Sequence, residues 1–466
     1  MTKTSHFTNF INKFILTFFR LVLPLLLVPF LYRAISPNEM GMVDFAISFV
    51  TYFYIVGDFG LSMYGIREVA KVEPKQASDL ISKLYSIRNT WNFFILIAYL
   101  LISLVFFKEE KSFWFLVICV TNILANFFNV EWVNEGFERF RFITLKTIIV
   151  RSIYVLCVIL LVHGNSAPYY YLFLTGFSLI INNLASFIFV KRKVNFHYSF
   201  RLFEVKYLKE LFYVFFTINS GVLFFQVDKF ILGLNERFVD VSYYSLGERI
   251  IMILVTLITA AITFLTPRLS SISSNQFELQ RLIKKNFSLI ILILTPICFG
   301  LYLIGEEIII LLAGNNYSNA KQIVPFIPII LFFYSILEFF KTNVFIVNKK
   351  EKIYVIMFSV TLIINIIIKG LFDKLSLKEV EIVLSVLLFL LCASVYFILL
   401  KDNLKMPINN IAKYGFICLP FLFLKEVDFG SLYLNIAGKI LITFTYYILS
   451  LFLLKDDLVK SIIKFK

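Results

Sequence analysis

Among the charged side chains set inside otherwise apolar stretches, the candidates for chemistry are Arg20, Asp58, Arg151, Asp228, Lys229, Arg249, Glu338 and Lys341. A charge at bilayer depth costs roughly 2.5–3.5 kcal/mol on insertion scales, so such residues usually face a bundle interior or a wet cavity. Plainer roles compete. Arg151 and Asp58 sit where a side chain can snorkel to headgroups, and Asp228–Lys229 and Glu338–Lys341 can neutralise themselves and merely hold helices together. Arg20 has no acid nearby in sequence and is the charge most readily assigned to a ligand.

Polar stripes accompany the charges. Asn122, Asn126 and Asn129 share a face at i, i+4, i+7, as do Arg249, Thr256, Thr259 and Thr263 further on, and Asn219, Gln226 and Lys229 fall within about a third of a helix circumference. For the threonines, hydrogen bonding between helices is the simpler reading. A cavity lined by amides, hydroxyls and a few cations suits a polar ligand carrying negative charge, such as a sugar phosphate, because the guanidinium fork binds phosphate bidentately.

Other chemistry lacks its residues. No GxxxxGK[ST] phosphate loop, GxSxG, HExxH or paired CxxC pattern occurs. The five cysteines (Cys119, Cys157, Cys298, Cys392, Cys418) all lie in apolar runs and read as small core residues. His6, His163 and His197 are too scattered for a metal site. Neither a catalytic role nor a metal or organic cofactor is expected.

The elements that must carry these residues are membrane helices. The 466 residues are 59% hydrophobic and 18% aromatic, with mean hydropathy +0.85, more apolar surface than a water-soluble chain of this length can bury. Runs of about 20 apolar residues are expected at Phe14–Tyr32, Val43–Tyr64, Trp91–Phe107, Phe113–Val133, Thr147–Val162, Tyr169–Val190, Leu211–Gly233, Ser245–Pro267, Phe287–Gly305, Ile323–Val347, Ile353–Lys369, Ile382–Leu400, Ile411–Leu424 and Leu432–Leu454. The first is too long for a signal-peptide core and is expected to remain as a span. The thirteenth, short and holding Pro420, is the weakest. This predicts an all-α integral membrane protein with about 14 transmembrane helices.

Charge supports the count. With the N-terminus cytoplasmic, about 30 of the 45 basic residues fall on the cytoplasmic side, and both termini end there. The net charge of +15 therefore reads as topology rather than nucleic-acid binding. Trp91, Trp114 and Trp132 sit at span ends, as an aromatic belt would place them. The longest loops, Ile66–Thr90 and Lys191–Glu210, are expected to hold amphipathic helices along the membrane surface. Proline interrupts spans at Pro24, Pro29, Pro296, Pro325 and Pro328, which suits bending. A weak repeat relates LVPFLYRAISPNEMGMVDFA, from Leu27, to FQVDKFILGLNERFVDVSYYSLGE, from Phe225. Two six-helix bundles (1–190 and 210–400), joined by a cytoplasmic loop (191–209) and followed by a helix pair and tail (401–466), would explain it.

Three stretches resemble the bacterial polysaccharide (O-antigen) flippases of the multidrug/oligosaccharidyl-lipid/polysaccharide exporter superfamily: GDFGLSMYGIREVAK (Gly57–Lys71), VEWVNEGFERFRFITLKTIIVRS (Val130–Ser152), and QVDKFILG with YYSLGERI (Gln226–Ile250). The resemblance implies a V-shaped pair of bundles around a cationic cavity. It implies a secondary transporter in the bacterial cytoplasmic (inner) membrane that moves an undecaprenyl-pyrophosphate-linked glycan, an O-antigen, capsule or exopolysaccharide repeat unit, from the inner to the outer leaflet. A proton or sodium gradient would drive it by analogy, with Asp58, Asp228 and Glu338 as the candidate coupling acids. Membrane lipids, a polysaccharide polymerase and a chain-length regulator are the partners implied. Arg20, Lys229, Arg249 and Lys341 become the candidate cavity cations, assigned by span and helix face. A drug or cation antiporter of the same superfamily and a non-transporting scaffold for polysaccharide assembly remain the alternatives.

Overall fold

The computed structural model describes residues 15–16, 19, 23, 26–73, 76–200, 206–271, 276–372, 375–456, 458 and 460, with the backbone alone at 206–210, 212–214, 216–218, 220–221 and 260–271. A helix, α1, covers 26–34. It is followed by α2 (Pro37–Asp58), α3 (Leu61–Val69), α4 (Ser78–Phe107), α5 (Phe113–Phe127), α6 (Glu131–Gly136), α7 (Phe140–Leu161), α8 (Ala167–Lys193), α9 (Lys206–Leu234) and α10 (Phe238–Ser271). Then come α11 (Gln276–Ala313), α12 (Ile327–Phe340), α13 (Glu351–Leu371), α14 (Leu377–Lys401), α15 (Asn409–Cys418) and α16 (Leu432–Leu453).

Among the described residues, eleven helical stretches are long and apolar enough to cross a bilayer, and they coincide with eleven of the fourteen expected spans. The protein is thus an all-α, multi-pass membrane protein. Of the remaining three, the first has eight of its nineteen residues outside the described residues, and the seventh, α9, lacks many described side chains. The thirteenth is a ten-residue helix, α15, continued by a 3-10 segment from Leu419 to Glu426 with Pro420 in its first turn. Proline cannot donate to a helix interior, so the element changes form there.

Contacts divide the chain into Met1–Ser242 and Tyr243–Lys466. In the first unit α2 packs along α5, α4 and α9, and α5 along α8. The two repeated turns interlock. A Cβ on Gly41, in the first turn, would lie 1.7 Å from the Phe238 carbonyl oxygen in the second, and one on Gly233 would lie 2.1 Å from the Phe45 ring. Phe45 in turn meets Phe230 and Phe238, each at 6.0 Å between ring centres. In the second unit α11 carries α12, α15 and α16.

Several expected elements are corrected. The second span breaks at Phe59 (φ 46°) and Gly60 (φ 76°), a pair of left-handed residues that ends α2 and lets α3 leave at a new angle. Ile66–Thr90 holds no separate helix among its described residues: it opens on the end of α3, and α4 starts at Ser78 and runs into the span without interruption. Lys191–Glu210 begins as the end of α8 and becomes extended chain over 195–199. Hydroxyls recurring every four residues along α4 tie that chain down. Ser78 Oγ donates to the Asn195 carbonyl, Ser82 Oγ accepts from His197 N at 3.1 Å, Ser86 Oγ accepts from Ser199 N at 2.9 Å, and Thr90 pairs with the Tyr198 hydroxyl at 3.1 Å. Four helical residues rise about 6 Å and two extended residues about 6.6 Å, so the registers match. Trp114 is 63% exposed, as a belt residue would be, whereas Trp132 is buried and belongs to a core cluster with Leu61, Val69, Ile81, Leu84 and Phe196.

Candidate functional site

Arg88 organises a buried polar network in the first unit. It is 0% exposed, although the sequence reading places it in a cytoplasmic loop. Being ten residues into α4, it lies about 15 Å from the helix start. Its Nη2 donates to Asp58 Oδ1 at 2.5 Å and to Asn126 Oδ1 at 2.6 Å, and its Nη1 donates to the Asn129 carbonyl at 2.9 Å. Asp58 also accepts from Ser62 Oγ at 2.7 Å across the α2–α3 break. Asn126 Nδ2 donates to Asn92 Oδ1 at 3.1 Å, and a Cβ on Gly57 would come within 2.3 Å of that same oxygen. Glycine at 57 is what lets α2 approach closely enough for the network to close. Arg88 thus joins the end of α2, the middle of α4 and the end of α5.

The asparagine stripe therefore divides. Asn126 serves Arg88, Asn122 turns back on its own helix to the Cys119 carbonyl at 3.2 Å, and Asn129 Oδ1 accepts from Glu131 N at 3.4 Å at the start of α6. Asn219 likewise bonds its own helix, to the Phe215 carbonyl at 3.0 Å. Thr256 Oγ1 donates to the Met252 carbonyl and Thr259 Oγ1 to the Thr256 carbonyl, both within α10, and Thr259 is engaged by a further group; the Thr263 side chain lies outside the described residues.

A second buried pair, Lys146–Glu131, joins α7 to α6, and Ser186 of α8 completes it, accepting from Lys146 at 2.8 Å and donating to Glu131 at 3.0 Å. This pair belongs to the Val130–Ser152 stretch. That stretch interlocks with Gly57–Lys71 through its glycines: a Cβ on Gly65 would lie 2.4 Å from the Trp132 ring, and one on Gly136 would lie 2.9 Å from Val69. Two of the stretches that carry the family resemblance thus form one packed corner, α3 against α6.

On α9, Asp228 and Lys229 are buried, and both are engaged by other groups. Gln226 is buried and its carbonyl accepts from Ser48 Oγ of α2 at 2.9 Å. Asp44, a buried acid of α2 that the sequence reading passes over, lies on the helix packed against α9. Arg151 in α7 is half-buried and engaged. Arg20 lies outside the described residues.

In the second unit Lys341 donates to Glu338 at 2.6 Å, and Tyr334 shares a hydrogen bond with the same carboxylate. Lys341 opens a six-residue π-helical segment, Lys341–Ile346, in which the backbone widens by one residue per turn. Such segments recur at functional positions. Glu248 and Arg249 of α10 are both engaged, the first buried and the second half-buried. Three further buried charges escape sequence reasoning. Lys439 of α16, 3% exposed, donates to Glu307 of α11 at 2.7 Å. Lys369 and Glu381 are buried near the joined ends of α13 and α14. The trailing pair is fixed to the bundle by this ion pair and by Tyr447, whose hydroxyl donates to the Leu292 carbonyl at 2.7 Å. No group of three or more metal-ligating side chains occurs among the described residues.

The class that the fold defines is an all-α, multi-pass membrane protein folded like the flippases and multidrug exporters. Its fold is similar to that of a lipid II flippase, MurJ, in an inward-closed conformation, with a TM-score of 0.76 at 17% identity over 96% of this chain and 99% of that one. An inward-facing multidrug-resistance MATE transporter of the MOP superfamily matches with a TM-score of 0.60 at 11% identity over 80% and 92%, and an outward-facing one with 0.51 at 12% over 82% and 92%. No curated protein sequence matches the chain. The pattern of the polysaccharide biosynthesis protein family matches residues 8–273, more than half of the chain, and the protein belongs to that family.

Proposed function

We propose that the protein is a flippase for a lipid-linked oligosaccharide. It would carry an undecaprenyl-pyrophosphate-linked repeat unit across the cytoplasmic membrane by alternating access between the bundles 1–190 and 210–400. The observation that carries this reading is membership of the polysaccharide biosynthesis protein family together with a fold that follows a lipid II flippase along nearly its whole length. In this proposal Arg20, Lys229, Arg249 and Lys341 meet the pyrophosphate or acidic sugars, and Asn122, Asn126, Asn129, Asn219 and Gln226 supply polar lining. Asp58, Asp228 and Glu338 link the cycle to a proton or sodium gradient. Pairs such as Glu338–Lys341 fit a carrier whose charges exchange internal partners for substrate, since an intramembrane charge left alone is costly.

A second reading has an observation in its favour. Asp58–Arg88, Glu131–Lys146 and Glu307–Lys439 are closed pairs, as a non-transporting scaffold would need. The two readings separate in a deletion strain. A flippase leaves lipid-linked repeat units stranded on the cytoplasmic leaflet, measurable by mass spectrometry of extracted lipids after leaflet-selective labelling. Repeat units reaching the outer leaflet at the normal rate without the protein would overturn the flippase reading. Arg20→Ala, at normal protein level, is expected to abolish surface polymer; under the scaffold reading export continues.

A further inference from the structure

Arg139 precedes α7, and no side chain caps that helix and no acid occupies its first turn. The chain reaches it through Glu138, held in the left-handed region (φ 54°), and Arg139 N donates to the Asn134 carbonyl at 2.8 Å. The guanidinium carbon lies 4.9 Å from the centre of the Phe137 ring and 5.8 Å from that of Phe189. Phe189 is itself stacked on Phe142 at 3.8 Å. The group is thus held in an aromatic seat that takes it partly out of water.

Its counter-charge is missing. Among the described residues no carboxylate pairs with Arg139, and its Nη1 is buried without a hydrogen-bond partner. Glu131, Glu135 and Glu138, the acids closest in sequence, are engaged elsewhere. Burial pushes the Arg139 pKa below the ordinary arginine value with nothing opposing it, yet arginine stays charged. Close by, Asn134 is fully buried with both amide atoms unpartnered. The N-terminus of α7 adds the positive end of a helix dipole.

What lies beyond shows the occupant. Arg141 is exposed, and on the same face of α7, at helical spacing, follow the exposed side chains Leu145, Ile149, Ile153, Leu156 and Leu160. On a 22-residue apolar membrane helix that stripe faces hydrocarbon. A lipid lying along it places its headgroup beside Arg141 and Arg139. We propose that Arg139, Arg141 and the N-terminus of α7 bind the phosphate of an anionic phospholipid, so that this corner of the first unit carries a specific lipid site.

The test is lipid retention by the full-length protein in nanodiscs of phosphatidylcholine doped with phosphatidylglycerol, read by native mass spectrometry. Wild type is expected to retain phosphatidylglycerol, and Arg139→Gln and Arg141→Gln each to weaken retention roughly fivefold, the effect of one basic residue at a charged membrane surface. Arg141 is exposed, so Arg141→Gln carries the test even where Arg139→Gln disturbs folding. Arg192→Gln, at another exposed cation at the end of α8, is expected to retain the lipid. Retention unchanged in Arg141→Gln, an equal loss in Arg192→Gln, or displacement of the lipid by millimolar inorganic phosphate would each overturn the assignment.

Discussion

Arg88 has Asp58 and two asparagines as partners, and removing one member leaves the others stranded. A buried ion pair broken on one side typically costs about 3–5 kcal/mol, because the remaining charge keeps its desolvation penalty without its partner. Arg88→Met is expected to lose about 3 kcal/mol, towards the low end because the Asp58 side chain is 20% exposed. Asp58→Asn combined with Arg88→Met is expected to recover part of that loss, and reversible unfolding in detergent, analysed as a double-mutant cycle, measures it. Additive losses would mean the two side chains act independently. Asp58 and Asn126 are legible in the sequence as polar residues in apolar runs, but Arg88 is not. The apolar run begins at Trp91, and a basic residue three positions before it reads as a loop anchor. What marks the helix as continuing is the stripe Ser78, Ser82, Ser86 and Thr90, visible at i+4 spacing and explained only by the chain it holds. Lys146 escapes for the same reason, and Lys439, inside α16, because its acid partner lies on a distant helix, α11.

At the scale of elements, apolar length located the spans but not their breaks. The α2–α3 break depends on two left-handed residues, and the π-helical segment after α12 on a backbone adjustment without a composition signal. The α3–α6 corner depends on glycines whose neighbours are distant in sequence. Gly65→Ala puts a methyl group against the Trp132 ring, and overpacking of this kind costs about 1–3 kcal/mol. A lowered unfolding midpoint with lost protection of α3 and α6 in hydrogen exchange is the expected result; an unchanged midpoint would mean the corner yields easily. The trailing pair gives a second expectation. Lys439→Met leaves Glu307 unpaired in the bundle, so α16 should exchange faster while α2 to α8 keep their protection. Equal protection throughout would show that the ion pair does not hold α16.

For the whole molecule, composition and charge bias were enough for an all-α multi-pass protein, and three short stretches pointed to the family to which the chain belongs. The site is less legible. Sequence can count charges in apolar runs, but it cannot tell an open charge from a paired one, and Lys341 and Asp58 both have partners in the structure. Whether such pairs open for a substrate is a property of the transport cycle, so transport itself is the decisive observable. The most direct test reconstitutes the purified protein in liposomes that hold a fluorescent undecaprenyl-pyrophosphate oligosaccharide in both leaflets and follows reduction of the outer-leaflet probe by a membrane-impermeant reagent. The account expects fluorescence to fall past the outer-leaflet half when the protein is present and to stop at that half without it. A plateau at one half in both preparations, with the protein folded and inserted, would contradict it.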